Sequence, residues 1–284
     1  MSVPPGEVVA AEATKACCAD LYASEWARVL LGDSFHPGGL ALTERLGHLL
    51  RLSADSRVLD LAAGGGTPAL HLARTFGCHV VGLDYSDDNV ARARQAAQDA
   101  GLSDRVAFFQ ADAEQLSPVA DEAFTAVLCE CAYCTFPNKH AAAAEIFRVL
   151  APGGHFGLSD LTRKTTLPPE LDGLLAWIAC IADALQIKTY VSQFTTAGLH
   201  VQHIEEHDAA LAELVHQIRG RLVGADLVAK LQHLDMPQAA LDFQQAKALA
   251  RRAADAVRAG VLGYTLIIAS KPRSGCGHLV ERAS

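Results

Sequence analysis

The sequence of 284 residues lacks a long hydrophobic run, a basic segment and an internal repeat. Its longest apolar run, residues 173–182, is far shorter than the roughly 20 residues of a membrane-spanning helix. Acidic residues outnumber basic ones, 32 to 24, and the net charge of -8 argues against a nucleic-acid surface built on a basic patch. The first residues show no charged leader followed by an apolar stretch, which predicts a protein without a secretion signal.

Hydrophobic residues make up 50% of the chain and charged residues 20%, a balance typical of a packed domain and not of a disordered chain. Eight cysteines without a secretion signal indicate the reducing cytoplasm, where thiols stay free. We therefore expect a cytoplasmic protein whose cysteines are ligands or core residues, with no membrane or nucleic-acid partner.

From residue 57 the sequence alternates between apolar strand patterns and helical patterns joined by short links. This alternation predicts an α/β fold with a parallel sheet covered by helices on both faces. Strands are predicted at 57–62, 78–85, 105–112, 123–130, 155–161, 199–206 and 261–272, and helices at 40–50, 67–76, 86–101, 138–150, 167–185, 189–197 and within 208–258. The predicted organisation is a helical cap or lid over 1–50, a cofactor-binding sheet domain over 51–207, a helical insertion over 208–258 that shapes the substrate side, a closing strand over 259–272 and a tail over 273–284.

Three predicted strand ends carry residues suited to an adenosine cofactor. The first strand contains Asp60 and leads into the glycines at 64–66, where the backbone can approach a ligand closely and a helix N-terminus offers free N–H groups. Asp84, about 20 residues after the glycines, suits the hydroxyls of a ribose. Asp112 and the adjacent Ala113 end the third strand, where a carboxylate can accept the adenine amino group.

Residues 64–69 also satisfy G-x-G-x-x-A, a pattern typical of dinucleotide-binding folds, and glycines that only pack a helix on a strand are a third interpretation. Asp60 lies inside the strand, however, and the sequence has no Tyr-x-x-x-Lys pair of the short-chain reductases. With the helix–turn–strand pattern EIFRVLAPGGHFGLSD (145–160) and the closing GYTLIIASKP (263–272), the sequence resembles the class I S-adenosylmethionine (SAM)-dependent methyltransferases.

The resemblance implies SAM as cofactor and a Rossmann-like sheet. Asp60 would orient the methionine amino group, Gly64 and Gly66 would line the methionine, Asp84 would hold the ribose, and Asp112 and Ala113 would read adenine. Tyr85 and Cys129 complete the expected cofactor site. Ala62 stands where the family has its first motif glycine, a position that alanine can fill if φ is negative there.

Cysteines cluster at the end of the fourth predicted strand, in CECAYCTFPNK (129–139), and thiolates suit soft, thiophilic centres. This pattern is similar to that of the arsenite methyltransferases, with Cys131 on the family's strand-four cysteine and Cys180 on its second cysteine. The resemblance implies methyl transfer to trivalent arsenic held by thiolates, as in arsenite detoxification, and a thiol reductant such as glutathione or thioredoxin as partner. The expected catalytic thiols are Cys131, Cys180 and one of Cys17 and Cys18, and the other expected substrate contacts are Cys134, Tyr22 and His36.

Other interpretations stay open at this point. One interpretation takes the cysteines as core residues, and another takes Cys129, Cys131 and Cys134 as zinc ligands. The histidines of HVQHIEEH (200–207) suggest a further metal site. The N-terminal segment is a lid or an amphipathic helix on the sheet. The acceptor is arsenic or a small organic metabolite, for which Glu130 or His36 would serve as base beside an apolar pocket shaped by 208–258. A SAM- or metalloid-binding regulator without turnover is the remaining hypothesis.

Overall fold

A computed structural model describes Lys15 and residues 36–117, 119–171, 181–231 and 243–273. Its strands are β1 (Arg57–Leu61), β2 (His79–Asp84), β3 (Val106–Gln110), β4 (Phe124–Glu130), β5 (Leu150–Arg163), β6 (His200–Glu206) and β7 (Leu262–Ser270). Its α-helices are α1 (Gly39–Leu49), α2 (Thr67–Phe76), α3 (Asp87–Asp99), α4 (Lys139–Val149), α5 (Ile187–Thr196), α6 (Asp208–Leu231) and α7 (Phe243–Arg258), with 3₁₀ turns at Tyr133–Thr135 and Pro169–Leu171.

The strands form one sheet in the order β3-β2-β1-β4-β5-β7-β6. Strands β1 to β5 pair in parallel, and β7 runs antiparallel to both β5 and β6. The chain winds outward from β1 to β3 and then returns to β4 on the other side of β1. Such a reversal opens a crevice at the carboxyl ends of β1 and β4, where ligands bind in open α/β sheets. The predicted α/β, Rossmann-like fold is confirmed.

The central strands are buried on both faces, and alternate residues enter two separate cores. On β1, Val58 packs in one core and Leu59 and Leu61 in the other. On β4, Leu128 enters the first core and Cys129 the second. This arrangement explains the almost continuous apolar runs of these strands, which are typical of a sheet with helices on both faces.

Two predicted boundaries differ from the structure. Strand β5 begins at Leu150 and not at the predicted residue 155, so the Pro152-Gly153-Gly154 segment, which follows the end of α4 as expected, lies inside β5, where the Gly153 N–H donates to the Lys271 carbonyl. Residues 181–185, expected at the end of a helix over 167–185, are not helical, and Leu185 instead bridges to Thr162 of β5. At these residues the chain pairs with the sheet and does not form the helix that its local periodicity predicts.

The helical additions agree with the sequence pattern where they are described. Helix α1 covers the predicted 40–50 segment, and the 208–258 block contains α6 and α7. The two helices pack through Leu222 against Ala246 and Ala250, and the Lys247 ammonium lies 2.8 Å from the Asp226 carboxylate. Residues 232–242 lie outside the described residues, and so does most of the predicted N-terminal cap.

Candidate active site

A cavity of about 160 Å³ opens at the carboxyl ends of β1, β2 and β4, at the reversal point of the sheet. Four acidic residues line it, which favours a ligand that carries positive charge. Its lining comprises Lys15, His36, Asp60, Ala62, Ala63, Gly64, Gly65, Thr67, Pro68, Leu83, Asp84, Tyr85, Asn89, Ala111, Asp112, Ala113, Glu130, Cys131, Ala132, Thr135 and Phe136.

Asp60 is the most deeply buried carboxyl group predicted for the cofactor site. It is 2% exposed, and its Oδ2 has no hydrogen-bond partner within the described part of the chain. Burial raises the pKa of Asp60 well above its ordinary value, and the negative charges of Glu130 and Asp84 raise it further. An orphaned carboxylate oxygen in a cavity wall is suited to a cationic donor such as the amino group of methionine.

The turn after β1 is held in left-handed backbone conformations. Ala62 has φ +58, Gly64 φ +54 and Gly66 φ +82. The condition of a negative φ at Ala62 is therefore not met, and the left-handed conformation that glycine adopts freely costs an alanine about 1–2 kcal/mol. A Cβ on Gly66 would lie 2.6 Å from the ring of Phe108, so close packing also requires a glycine there.

Asp84 ends β2 and is fixed by three donors. Its Oδ2 accepts from the Gly64 N–H at 2.8 Å, and its Oδ1 accepts from the Ser86 N–H at 2.9 Å and the Asn89 amide at 3.1 Å. Burial raises the pKa of Asp84, while these hydrogen bonds lower it. Asp84, the residue predicted to bind the ribose, therefore lines the cavity in a fixed orientation, and Tyr85 next to it also belongs to the lining.

The predicted adenine side, Asp112 and Ala113, also lines the cavity, but its carboxylate has a partner that the sequence did not suggest. Lys15 Nζ lies 2.7 Å from Asp112 Oδ2 and 2.5 Å from Glu114 Oε2. Burial lowers the pKa of Lys15, but the hydrogen bonds and charges of the two carboxylates outweigh it and raise the pKa. No motif links Lys15 to residues about a hundred positions away, so only the structure could reveal the contact.

Glu130, the last residue of β4, lines the cavity together with His36. The side chains are 4% and 3% exposed, and His36 Nε2 lies 3.8 Å from Glu130 Oε2. Thr43, on α1, donates its hydroxyl to Glu130 Oε2 at 2.9 Å, and the Ser159 hydroxyl donates to Oε1 at 3.3 Å. A carboxylate and an imidazole therefore share one wall of the cavity, as general acid–base chemistry requires.

The described cysteines are separated by the fold. Cys131 lines the cavity and adopts φ +53, with its N–H donating to the Ser159 carbonyl at 2.7 Å. Cys129 and Cys134 are fully buried and are not part of the cavity lining, contrary to the expected roles of Cys129 at the cofactor and Cys134 at the substrate. Burial, with the charges of Asp160, Asp60 and Glu130, raises the pKa of Cys129 well above its ordinary value, so its thiol stays protonated.

Four other predicted site residues, Cys17, Cys18, Tyr22 and Cys180, lie outside the described residues. No group of three or more His, Cys, Asp or Glu side chains arranged to hold a metal ion occurs in the described ranges. In the HVQHIEEH segment, His203 and His207 instead contact the Glu205 carboxylate at 3.1 and 2.8 Å. Hydrogen bonds from Arg45, His203 and His207 and the charge of Arg45 outweigh burial and lower the pKa of Glu205 to about 2.

Comparisons with known proteins agree with this geometry. Residues 59–158 match the methyltransferase domain family. The 27-O-demethylrifamycin SV methyltransferase of Amycolatopsis mediterranei (strain S699) is 29% identical over 238 residues, which cover 81% of this chain and 83% of that protein.

Solved structures share the fold. Phosphoethanolamine N-methyltransferase 2 of Haemonchus contortus, in complex with S-adenosyl-L-methionine, matches with a TM-score of 0.72 and 18% identity over 90% of this chain and 57% of that one. The [4+2]-cyclase SpnF matches with a TM-score of 0.65 and 24% identity over 83% and 82%.

The sheet order and the glycine turn define a Rossmann-like methyltransferase fold. Residues 59–158 carry a methyltransferase domain, and its cofactor is S-adenosyl-L-methionine. The cavity fits this cofactor, because the orphaned Asp60 oxygen suits its ammonium group and the fixed Asp84 carboxylate suits its ribose. Among the described residues, no helix is both long enough and apolar enough to cross a membrane.

Proposed function

We propose that this methyltransferase acts on a small organic molecule whose acceptor group, such as a phenol or alcohol hydroxyl, loses a proton on methylation. The observation that supports this proposal most strongly is the placement of Glu130 and His36 in the cavity wall, 3.8 Å apart and both nearly fully buried. A buried base of this kind is useful when a proton must leave the acceptor, and proton transfer by a positioned side chain contributes typically about 10²–10⁴-fold to a rate.

The residues divide the work between two sides of the cavity. Asp60 and Asp84 would hold the ammonium and ribose groups of SAM, which supplies an electrophilic methyl group on a positively charged sulfur. Glu130, at the end of β4, would accept the proton of the acceptor, and His36 would stabilise the charge of the Glu130 carboxylate beside it. The strand ends fix the three carboxylates in advance, so their orientation costs little at the moment of reaction.

Methylation of trivalent arsenic is the second candidate, because Cys131 is a thiol in the cavity lining. Arsenic bound by three thiolates presents a lone pair and needs no base. By the resemblance to the arsenite methyltransferases, the other two thiolates would come from Cys180 and from Cys17 or Cys18, since Cys129 and Cys134 are buried in the core. A thiol reductant would then be a partner of the reaction.

The discriminating experiment measures conversion of SAM to S-adenosylhomocysteine in two parallel series, one with a panel of catechols, phenols and alcohols and one with arsenite and glutathione. Glu130→Gln and Cys131→Ser are compared with the wild type, and SAM binding is measured by calorimetry as the control for a folded cofactor site. Methylation of an organic acceptor that Glu130→Gln abolishes and Cys131→Ser retains supports the proposal.

The opposite pattern, methylated arsenic that is lost in Cys131→Ser, overturns the proposal in favour of arsenite. SAM binding without methyl transfer to any acceptor in either series counts against both candidates. This outcome is included because the fold is also similar to that of a cyclase.

A further inference from the structure

A row of three polar side chains crosses the neighbouring strands β4, β5 and β7 on one face of the sheet. Glu130 of β4 pairs in register with Ser159 of β5. Tyr264 of β7 pairs with Leu161, two residues further along β5, and residues two apart on a strand lie on the same face. Cross-strand neighbours at this diagonal spacing are within reach of a long aromatic side chain. Tyr264 can therefore contact Ser159, and Ser159 can contact Glu130.

The hydrogen bonds in this row all lead toward the Glu130 carboxylate. The Tyr264 hydroxyl donates to Ser159 Oγ at 3.0 Å, and the Ser159 hydroxyl donates to Glu130 Oε1 at 3.3 Å. A serine hydroxyl has one hydrogen, so the donation from Tyr264 occupies one lone pair of Ser159 Oγ and leaves the Ser159 hydrogen for Glu130. Thr43 donates to the other oxygen, Oε2, at 2.9 Å. Each carboxylate oxygen is therefore held by one hydroxyl.

The Tyr264 hydroxyl lies in an apolar environment. Tyr264 is fully buried and its side chain belongs to the first core, where a phenylalanine would fill almost the same space without a polar atom. A hydroxyl removed from water destabilises the fold unless it is hydrogen-bonded. Burial raises the pKa of Tyr264 well above its ordinary value, so the hydroxyl keeps the hydrogen that it donates. The charges of Cys131, Glu130 and Asp160 raise this pKa further.

Two other fully buried tyrosines provide a contrast. The Tyr190 hydroxyl donates to the Leu161 carbonyl at 2.9 Å. The Tyr133 hydroxyl donates to the Lys139 carbonyl at 2.7 Å. Both hydroxyls satisfy backbone groups and thereby support the fold. The Tyr264 hydroxyl instead binds a side chain that contacts a residue of the cavity wall.

We infer that Tyr264 is a positioning residue for methyl transfer, whose hydroxyl orients the Ser159 hydroxyl and through it fixes the carboxylate of Glu130. This inference rests on the proposed function. Glu130 would touch the acceptor, whereas Tyr264 lies two hydrogen bonds away and acts through Ser159. Without the Tyr264 hydroxyl, the Ser159 hydrogen is no longer directed to Oε1, and the carboxylate loses one of the two contacts that hold its plane. A misplaced base lowers the rate of the chemical step.

The first test is infrared spectroscopy of the protein without any ligand. The carboxyl band of Glu130 is identified as the band that disappears in Glu130→Gln. In Tyr264→Phe and in Ser159→Ala, this band is expected to shift, because the hydrogen bond to Oε1 is weakened or lost. Tyr190→Phe is the matched control, since it removes an equally buried hydroxyl that binds the backbone, and it should leave the band unchanged. Circular dichroism checks that each variant is folded.

The second test is kinetic and uses an organic acceptor from the panel. Tyr264→Phe is expected to lower kcat by about tenfold. The KM for SAM should stay within about twofold of the wild-type value, because the cofactor side is intact. Tyr190→Phe should keep the wild-type kcat. In the Glu130→Gln background, Tyr264→Phe should lower kcat by less than about twofold further, since residues that act as one unit are not additive.

An unshifted Glu130 band in Tyr264→Phe overturns the inference. An equal loss of kcat in Tyr264→Phe and Tyr190→Phe, or a full tenfold loss in the Glu130→Gln background, also overturns it, because either result indicates a merely structural role. If the band shifts but no organic acceptor is methylated, the proposed function fails and the hydrogen-bonded row from Tyr264 to Glu130 stands. If methylation depends on Glu130 but the band does not shift, the positioning role of Tyr264 fails alone.

Discussion

The two sides of the cavity are built in different ways. The cofactor side consists of consecutive strand ends, with Asp60 near the end of β1, Asp84 at the end of β2 and Asp112 after β3, and with backbone N–H groups of the glycine turn between them. The acceptor side is assembled from distant segments, so that Thr43 of α1 meets Glu130 of β4. Backbone geometry defines the first side and side-chain contacts define the second. Substitutions should therefore separate cofactor binding from methyl transfer.

Glu130→Gln gives the largest expected effect on the acceptor side. Loss of the base should reduce methyl transfer by about 100-fold or more, because the acceptor's proton has no carboxylate to receive it. SAM affinity should change by less than about threefold, since the cofactor carboxylates are intact. Calorimetric SAM titration and initial-rate kinetics with the same preparation measure both quantities, and a variant that loses SAM binding and turnover together would break the separation of the two sides.

Among substitutions that add one methyl group on the cofactor side, Gly66→Ala should destabilise the fold most. The new Cβ would lie 2.6 Å from the Phe108 ring at a backbone φ of +82, and we expect the free energy of unfolding to fall by about 2–3 kcal/mol. Gly65→Ala is the matched control, because a Cβ there meets nothing within 4 Å. Urea denaturation of both variants checks the difference, and equal losses would show that the close approach to Phe108 is unimportant.

Asp60→Asn should weaken SAM binding while it stabilises the fold. The pKa of Asp60 is raised by burial first and then by Glu130 and Asp84, so its ionised form opposes folding at neutral pH. The stability of the wild type should fall, relative to Asp60→Asn, as the pH rises through the raised pKa of Asp60. Each unit by which that pKa is raised corresponds to about 1.4 kcal/mol. Unfolding measured from acidic to neutral pH tests the sign, and a variant less stable than the wild type at neutral pH contradicts it.

Lys15→Met should have the smallest effect. The ammonium of Lys15 bridges Asp112 and Glu114, but both ends of the interaction are partly exposed, and such pairs contribute about 1 kcal/mol or less. We expect a small loss of stability that disappears at high salt. Thermal unfolding at low and high ionic strength measures it, and a salt-independent loss would mean that packing and not charge is what Lys15 contributes.

The sequence predicted the cofactor side well because the relevant residues follow strands and lie in one short motif. Strand ends of a parallel sheet meet at one edge, so Asp60 and Asp84 could be brought together on pattern alone. The sequence does not determine the conformation of Ala62, because a residue's φ depends on the path of the turn and a left-handed alanine leaves no trace in the sequence. The prediction of the glycine turn itself did not depend on that residue.

The acceptor side was predicted less completely for a physical reason. The cluster CECAYC suggests a thiol site, but β4 ends at Glu130 and Cys131 adopts φ +53, so Cys131 lines the cavity whereas Cys129 and Cys134 are fully buried. Glu130 and His36 were considered as alternative bases, yet their meeting through Thr43 depends on how α1 packs against the end of β4. No local pattern encodes that contact. The predicted role of 208–258 on the substrate side stays a prediction, and no residue of that block belongs to the described cavity lining.

The most direct measurement follows transfer of a radiolabelled methyl group from SAM to the members of the phenol and alcohol panel, in the wild type and in Glu130→Gln at equal SAM saturation. We expect a labelled organic ether from the wild type and a loss of about 100-fold or more in the variant. A labelled product formed equally fast by both proteins would contradict the assignment of Glu130 as the base. Label found only in arsenic species would indicate that Cys131, and not the Glu130 carboxylate, serves the methyl acceptor.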